Sequence, residues 1–138
     1  MNNSMVFSYA ARLRKMGNDY ILSELGNAGL VDIVPSHGAI LLYLLEAGTL
    51  RMGELTRKVR RTKSTVTVLV AKLARGGYVE RRPDPADSRS TLVSLTEKGQ
   101  NLRPAFEAIS DGLDNMLRQR LSDGELAELS SLLKKAVS

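Results

Sequence analysis

Residues 53–99, GELTRKVRRTKSTVTVLVAKLARGGYVERRPDPADSRSTLVSLTEKG, run through two helical patterns, a tight turn and a hairpin without interruption. Leu55 and Val59 are the apolar positions of a brief helix, and Arg60 and Arg61 form the turn after it. Thr62 is of the residue type that accepts a hydrogen bond from the free N–H groups of a helix start, so the next helix begins there. On that helix Val66, Leu69, Val70 and Leu73 share one face. Ser64, Val68, Ala71 and Arg75 share the other, with Thr65 and Lys72 at its edge. Gly76 and Gly77 end it. Residues 78–82 and 91–95 are predicted as two short strands, because Leu92, Ser94 and Thr96 alternate with Val93 and Leu95. The connection PDPADSRS has the Pro, Asp and Ser content of a turn-rich loop.

Upstream, Val6, Ala10, Leu13, Met16, Tyr20 and Ile21 recur at helical spacing, which predicts an amphipathic helix over 4–26. Gly26 and Gly29 bracket a break. Pro35 suits the first turn of a second helix, where its missing N–H is no loss, and Ile40, Leu41, Leu44 and Leu45 give that helix its buried stripe before Gly48 stops it. A short extended piece, residues 50–52, leads into the stretch above. Downstream, Leu102, Phe106, Ile109, Leu113, Met116 and Leu117 mark a long helix capped by Thr96, in which Pro104 predicts a bend or a local break. Ser122 with Glu125 is a capping box for a last helix carrying Leu126, Leu129, Leu132, Leu133 and Val137.

This order predicts a mostly α, α+β fold: a winged helix-turn-helix lobe over 33–96 that closes its own small core, with helical arms over 4–30 and 97–138. The apolar stripes of the arms need burial, and a chain of 138 residues has little else to bury them against. Pairing with a second copy is the economical answer, since two-fold dimers are the commonest soluble oligomers. The arms are therefore assigned to dimerisation.

The net charge is +5, and its placement says more than its sum. Between Arg51 and Arg89 eleven Lys/Arg stand against four Asp/Glu, a net of +7, while the remainder holds nine against eleven, a net of −2. A basic middle flanked by slightly acidic arms suggests one surface that meets a polyanion, although a charge run is also what a solvated face looks like. Helix, turn and second helix is the shape that docks in a DNA major groove, with the first half of the second helix against base edges. Lys63 can donate to guanine or phosphate, and Ser64, Thr65 and Thr67 can reach bases or phosphates. Arg57, Lys58, Arg60 and Arg61 crowd the turn, where phosphate contacts position such a module. Lys72 continues the basic edge. Arg89 follows Asp87 by two residues, so the carboxylate can pair with it and hold it extended, and a long cation on a hairpin suits a narrow minor groove. The other reading of that pair is a surface salt bridge that rigidifies the loop. Arg81 and Arg82 flank it on the first strand.

Several classes are excluded or unsupported. With no cysteine, disulfides, thiol redox sensing and thiolate metal sites are impossible, and one histidine cannot build a multi-histidine zinc site. No apolar run approaches the length of a membrane span, and residues 1–15 lack the order of a secretory signal, so a cytoplasmic protein that does not engage membranes is expected. No Gly-rich phosphate loop follows a strand, and no nucleophile, base and acid stand together. Asp84 and Asp87 lie amid arginines, which suits them to pairing rather than acid catalysis. Neither an enzyme nor a cofactor is expected. A winged helix used for RNA binding or protein assembly stays open as the competing function, since fold alone does not assign one.

From Pro35 to Gly99 the chain closely resembles the multiple-antibiotic-resistance regulator (MarR) family of winged helix-turn-helix proteins. The resemblance is carried by Val34-Pro35-Ser36, Gly53-Glu54-Leu55-Thr56, Lys63-Ser64-Thr65-Val66-Thr67, Gly77-Tyr78-Val79, Asp84-Pro85-Ala86-Asp87-Ser88-Arg89 and Leu95-Thr96-Glu97-Lys98-Gly99 in that order. It implies a homodimer with interlocked terminal helices, a pseudo-palindromic duplex operator, repression of nearby genes, and release of DNA on binding a small aromatic or anionic effector. Asp87 and Arg89 match the family's acid and arginine in the wing. Two positions depart from the pattern. Val68 stands where many relatives carry a polar or basic residue, which fits either a contact to a thymine methyl or a helix that reads less sequence. Arg61 stands where an apolar residue is usual. The cleft implied for an effector would lie among Tyr9, Arg12 and Leu13 of the first helix and Ser36, His37 and Ile40 of the second. Arg12 is suited to an acid there, and His37 to a pH response or to a purely structural role.

Overall fold

The computed structural model describes residues 4–138. Its elements are α1 (Ser4–Asn27), α2 (Pro35–Ala47), β1 (Thr49–Arg51), α3 (Met52–Val59), α4 (Lys63–Arg75), β2 (Val79–Asp84), β3 (Asp87–Leu95), α5 (Glu97–Gln100), α6 (Arg103–Arg118) and α7 (Asp123–Val137). One compact unit runs as far as Phe106, and a second covers Glu107–Ser138. No helix among the described residues is long and apolar enough to cross a membrane.

The core of the first unit is built by periodicity. Ile40, Leu41, Leu44 and Leu45 of α2 and Val66, Val70 and Leu73 of α4 are buried, and Leu55 of α3 fills the space between them. α4 starts at Lys63 because the Thr62 hydroxyl accepts from the Thr65 N–H at 3.2 Å, satisfying one of the donors that a helix start leaves free. β3 supplies Val93 and Leu95 to the same core.

Three expectations change in detail. Residues 50–52 are more than an extended link. β1 pairs antiparallel with β3, Leu50 opposite Val93, so the sheet has three strands in the order β1-β3-β2. Leu50 and Val93 lie far apart in sequence, and a three-residue strand carries no alternation long enough to read. The hairpin is also longer than expected, because only Pro85 and Ala86 remain outside the strands. Third, the helix expected after Thr96 is two helices: α5 is a single turn, and α6 begins afresh at Arg103. Pro104 thus falls in the first turn of α6, where its missing N–H costs no hydrogen bond. The local break is the outcome, rather than a bend.

A polar knot fixes the end of α4 against the base of the wing. Gly77 has φ +82°, a left-handed conformation that side chains disfavour, and it turns the chain from α4 into β2. Thr96 donates its N–H to the Tyr78 carbonyl at 3.0 Å and its hydroxyl to the Gly77 carbonyl. Lys98 donates to the Gly76 carbonyl at 2.6 Å, its ammonium 4.4 Å from the centre of the Tyr78 ring. The buried Tyr78 hydroxyl in turn donates to Asp32 at 3.2 Å. Gly99 is needed because any Cβ there would collide with the Tyr78 carbonyl and the Leu95 side chain. The sequence pieces Gly-Gly-Tyr and Leu-Thr-Glu-Lys-Gly are two halves of this one junction.

The second unit is helical. Ser122 and Glu125 cap α7 reciprocally, at 3.2 Å and 2.9 Å, as their spacing predicts. Arg118 bridges Asp114 and Asp123, both at 2.6 Å, and thereby joins the end of α6 to the start of α7.

Candidate nucleic-acid interface

α4 presents to solvent most of the side chains that its pattern assigned to its outer face, with Ala71 half-buried. Lys63, Ser64, Thr65, Thr67, Val68 and Lys72 are all exposed, while Val66, Val70 and Leu73 face the core. The first turn is ordered by its own hydroxyls. Besides accepting from the Thr65 N–H, Thr62 donates to the Thr65 hydroxyl at 2.9 Å and lies 3.2 Å from the Ser64 hydroxyl. Thr67 donates to the Lys63 carbonyl at 2.8 Å. A reading surface held this way loses little rotamer freedom when it meets a partner.

The basic residues of the turn fall on the same compact unit. Arg57 and Lys58 are exposed in the last turn of α3, and Lys58 stands 5.5 Å over the Tyr43 ring. Arg60 and Arg61 are exposed in the connection to α4, with Arg60 in a left-handed conformation at φ 55°. That conformation turns the chain tightly enough to leave only three residues between α3 and α4, and it is costly for a side chain other than glycine.

In the wing, Arg89 lies on β3 rather than in a loop, and this corrects the expected position. The register explains why it still projects. Pro83 pairs with Thr91 but Asp84 pairs with Asp87, so Ser88, Arg89 and Ser90 form an excursion opposite the step between Pro83 and Asp84. Asp87 accepts from the Arg89 backbone N–H at 3.0 Å and from its Nε at 3.3 Å, which is the expected pair. The Arg89 side chain remains 91% exposed. Arg81 and Arg82 are both exposed on β2 but, as neighbours on a strand, point to opposite faces of the hairpin. Arg82 approaches Glu80 at 3.9 Å on its own face. The two arginines therefore do not form one patch.

Asp84 pairs with an arginine as expected, but the sequence does not indicate which one, and this contact organises the wing. Asp84 is 5% exposed, accepts from Arg51 Nε at 2.8 Å, and accepts from the Ala86 N–H at 2.9 Å. The Arg51 guanidinium, helped by the Ala86 N–H, holds the Asp84 carboxyl below the usual carboxylate range. Arg51 also precedes α3, where its N–H donates to Glu54 at 3.2 Å. One residue thus ties the helix-turn-helix to the hairpin tip. Asp84 and Arg51 are 33 positions apart, and no local pattern links them.

The six residues expected at an effector cleft fall into three environments. Tyr9 and Arg12 are exposed on α1, Leu13 and Ser36 are half-buried, and His37 and Ile40 are buried. His37 is 2% exposed and acts structurally: its Nδ1 accepts from the Val34 N–H at 3.4 Å at the start of α2. The proton of the neutral ring is then on Nε2, which has no hydrogen-bond partner among the described residues. Burial, followed by the nearby Lys72, lowers the His37 pKa, while Asp32 opposes the shift.

This surface is that of a known architecture. The MarR family model matches residues 31–90. The helix-turn-helix-type regulator YcgE of Bacillus subtilis is 31% identical over 124 residues, covering 89% of this chain and 80% of that protein. The chain belongs to the MarR family. It is a DNA-binding transcriptional regulator of the winged helix-turn-helix type. A MarR variant from Escherichia coli, solved in complex with operator DNA, has the same fold at a TM-score of 0.88 and 24% identity, over 98% of this chain and 95% of that one. The Staphylococcus aureus MepR–DNA complex is similar at a TM-score of 0.79 and 27% identity, over 99% and 97%. In this MarR-family chain no group of three or more His, Cys, Asp or Glu suited to a metal ion occurs among the described residues.

Proposed function

We propose that this chain is a homodimeric, ligand-responsive repressor that grips a pseudo-palindromic duplex with one α4 in each half-site. The observation that carries the proposal is the capped first half of α4, with Lys63, Ser64, Thr65, Thr67 and Val68 exposed, on the same compact unit as the Asp87-held Arg89. α4 reads bases in the major groove, Arg89 enters the adjacent minor groove, and Arg57, Lys58, Arg60 and Arg61 hold phosphates. The exposed apolar residues of α1 and α7 supply the contact between subunits. The protein acts wherever the chromosome is.

Fluorescence anisotropy tests this against the promoter beside the protein's own coding sequence, a scrambled duplex and a single-stranded RNA of equal length. The promoter duplex binds tightest, and affinity falls steeply with salt. Arg61→Ala lowers affinity for both duplexes alike and flattens the salt slope by about one unit per lost phosphate contact. Preference for the RNA, or a slope unchanged by Arg61→Ala, contradicts the assignment. For the effector, calorimetry with simple aromatic acids gives binding that Arg12→Ala weakens. Reciprocity then requires weaker acid binding to the DNA-loaded protein, and equal affinity with and without DNA removes that acid as an inducer.

A further inference from the structure

We propose that Val68 reads the C5-methyl group of a thymine, and that this apolar contact fixes one base in each half-site. The inference rests on the duplex-binding reading above and sharpens it to one residue and one chemical group. Val68 is the exposed large apolar residue on the outer face of α4, 63% exposed between Ser64 one turn before it and Lys72 one turn after. At 100° per residue it points about 165° away from the mean direction of Val66, Val70 and Leu73, close to the outermost line of the helix. A branched apolar side chain at that place gains nothing from the core and disfavours exposure to water.

The hydroxyls around it narrow what it can do. Thr67 spends its proton on the Lys63 carbonyl, and the Thr65 hydroxyl already accepts from Thr62. The polar reading groups therefore concentrate in the first turn, and the next turn offers methyl groups on its outer line. Val68 itself has no donor or acceptor, so it cannot discriminate among the hydrogen-bonding patterns of the four base pairs. The major-groove edge displays one apolar group, the C5-methyl of thymine. Contact between that methyl and the Val68 methyls removes both from water, whereas cytosine at the same position leaves Val68 against a polar amine and a bare ring carbon.

The experiment starts by selecting duplexes from a randomised pool with the full-length protein. Each thymine of the enriched duplex is then replaced singly by deoxyuridine, which removes the methyl and keeps the base pair. Anisotropy is measured with the wild type, Val68→Ala and Val68→Ser, whose melting temperatures confirm folding. The expected result is one thymine per half-site whose replacement weakens wild-type binding about fourfold per methyl removed. Both variants lose sensitivity at that thymine and keep it elsewhere. Enriched duplexes with no shared thymine, uniform tolerance of deoxyuridine by the wild type, or undiminished sensitivity in the variants each overturn the proposal. A pool that yields no enriched duplex overturns the duplex-binding reading itself, and the methyl contact with it, so the two failures are told apart.

Discussion

α4 and α7 are both amphipathic helices of similar length, yet one chain completes only the first. α4 has its apolar side in a closed core, with Val66 and Val70 fully shielded against Ile40, Leu41, Leu44 and Leu55. α7 has fifteen residues and no buried one, and its Leu132, Leu133 and Val137 are exposed. α1 resembles α7 over its first half, where Met5, Val6, Phe7 and Tyr9 are exposed, although Leu25 near its end is buried. Short helices draw most of their stability from packing rather than propensity. The lobe around α4 therefore has what it needs within one chain, and α7 has a stripe that still requires a partner. On the proposed function, the lobe around α4 is the part that reads and α7 belongs to the part that pairs.

Deleting residues 122–138 tests that separation with the largest expected effect. Light scattering after gel filtration should give the mass of one chain, while circular dichroism retains a cooperative melt from the lobe. Duplex affinity should fall by about 100-fold or more, because the second half-site no longer binds as part of the same molecule. A truncated chain that still forms a dimer of full affinity would break the comparison. Cutting at Thr96 instead would confound the result, since Gly99, Leu102 and Phe106 are buried in the first unit.

Within the reading part, the next largest effect belongs to Asp84. Asp84→Ala removes the acceptor for Arg51 and Ala86 and should lower the melting temperature. It should also weaken duplex binding, because the wing tip is no longer tied to the start of α3. The pH dependence has a definite sign. The folded-state pKa is depressed, so the stabilisation is complete above the ordinary carboxylate value of about 3.9 and is lost as pH falls through the depressed one. The loss of stability of the wild type in strong acid should thus shrink in the variant. An unchanged melt and unchanged affinity would show that the wing is positioned by its strand pairing alone.

What the sequence made legible follows from the range of the interactions. The helix faces, the Thr62 cap, the Ser122–Glu125 box and the Asp87–Arg89 pair are local, and each depends on residues two to eight positions apart. β1, the Arg51–Asp84 tie and the Tyr78–Asp32 bond join positions 33 to 46 apart, and nothing in a local window announces them. The exposure of the residues proposed for the interface on α3 and α4 could be read because it follows from helical period. Arg81 and Arg82 were grouped by adjacency although a strand sends neighbours to opposite faces. The residues of the expected effector cleft rest on the family resemblance alone, and burial divides them between core and solvent.

His37 makes a smaller test of how finished the lobe core is. Its pKa is lowered, chiefly by burial, so the folded chain resists protonation that the unfolded chain accepts. Stability should therefore be full above the ordinary histidine value of 6.5 and decline as pH falls below it towards the lowered value. His37→Gln keeps an acceptor for the Val34 N–H and does not titrate. Melts between pH 5 and 8 should show a shallower decline for the variant. A wild-type melt independent of pH across 5 to 6.5 would mean that His37 is wetter than its 2% exposure implies.

The smallest expected effect is at Thr62, where stability and reading meet in one hydroxyl. Thr62→Ala removes the side chain that accepts from the Thr65 N–H and contacts the Ser64 and Thr65 hydroxyls. Loss of a helix cap of this type costs about 1 kcal/mol, which urea denaturation resolves as a lower midpoint with an unchanged slope. Because Thr62 also orders the first turn of α4, duplex affinity should fall beyond what the loss of folded protein accounts for, and more for the selected duplex than for a scrambled one. Thr62→Asp separates the two roles. It restores a cap and suits the positive end of the helix dipole, so stability should return, while its charge opposes a nearby phosphate and affinity should not. If affinity recovered together with stability, the cap would serve folding alone, and the reading surface would owe its order to the lobe core rather than to its own first turn.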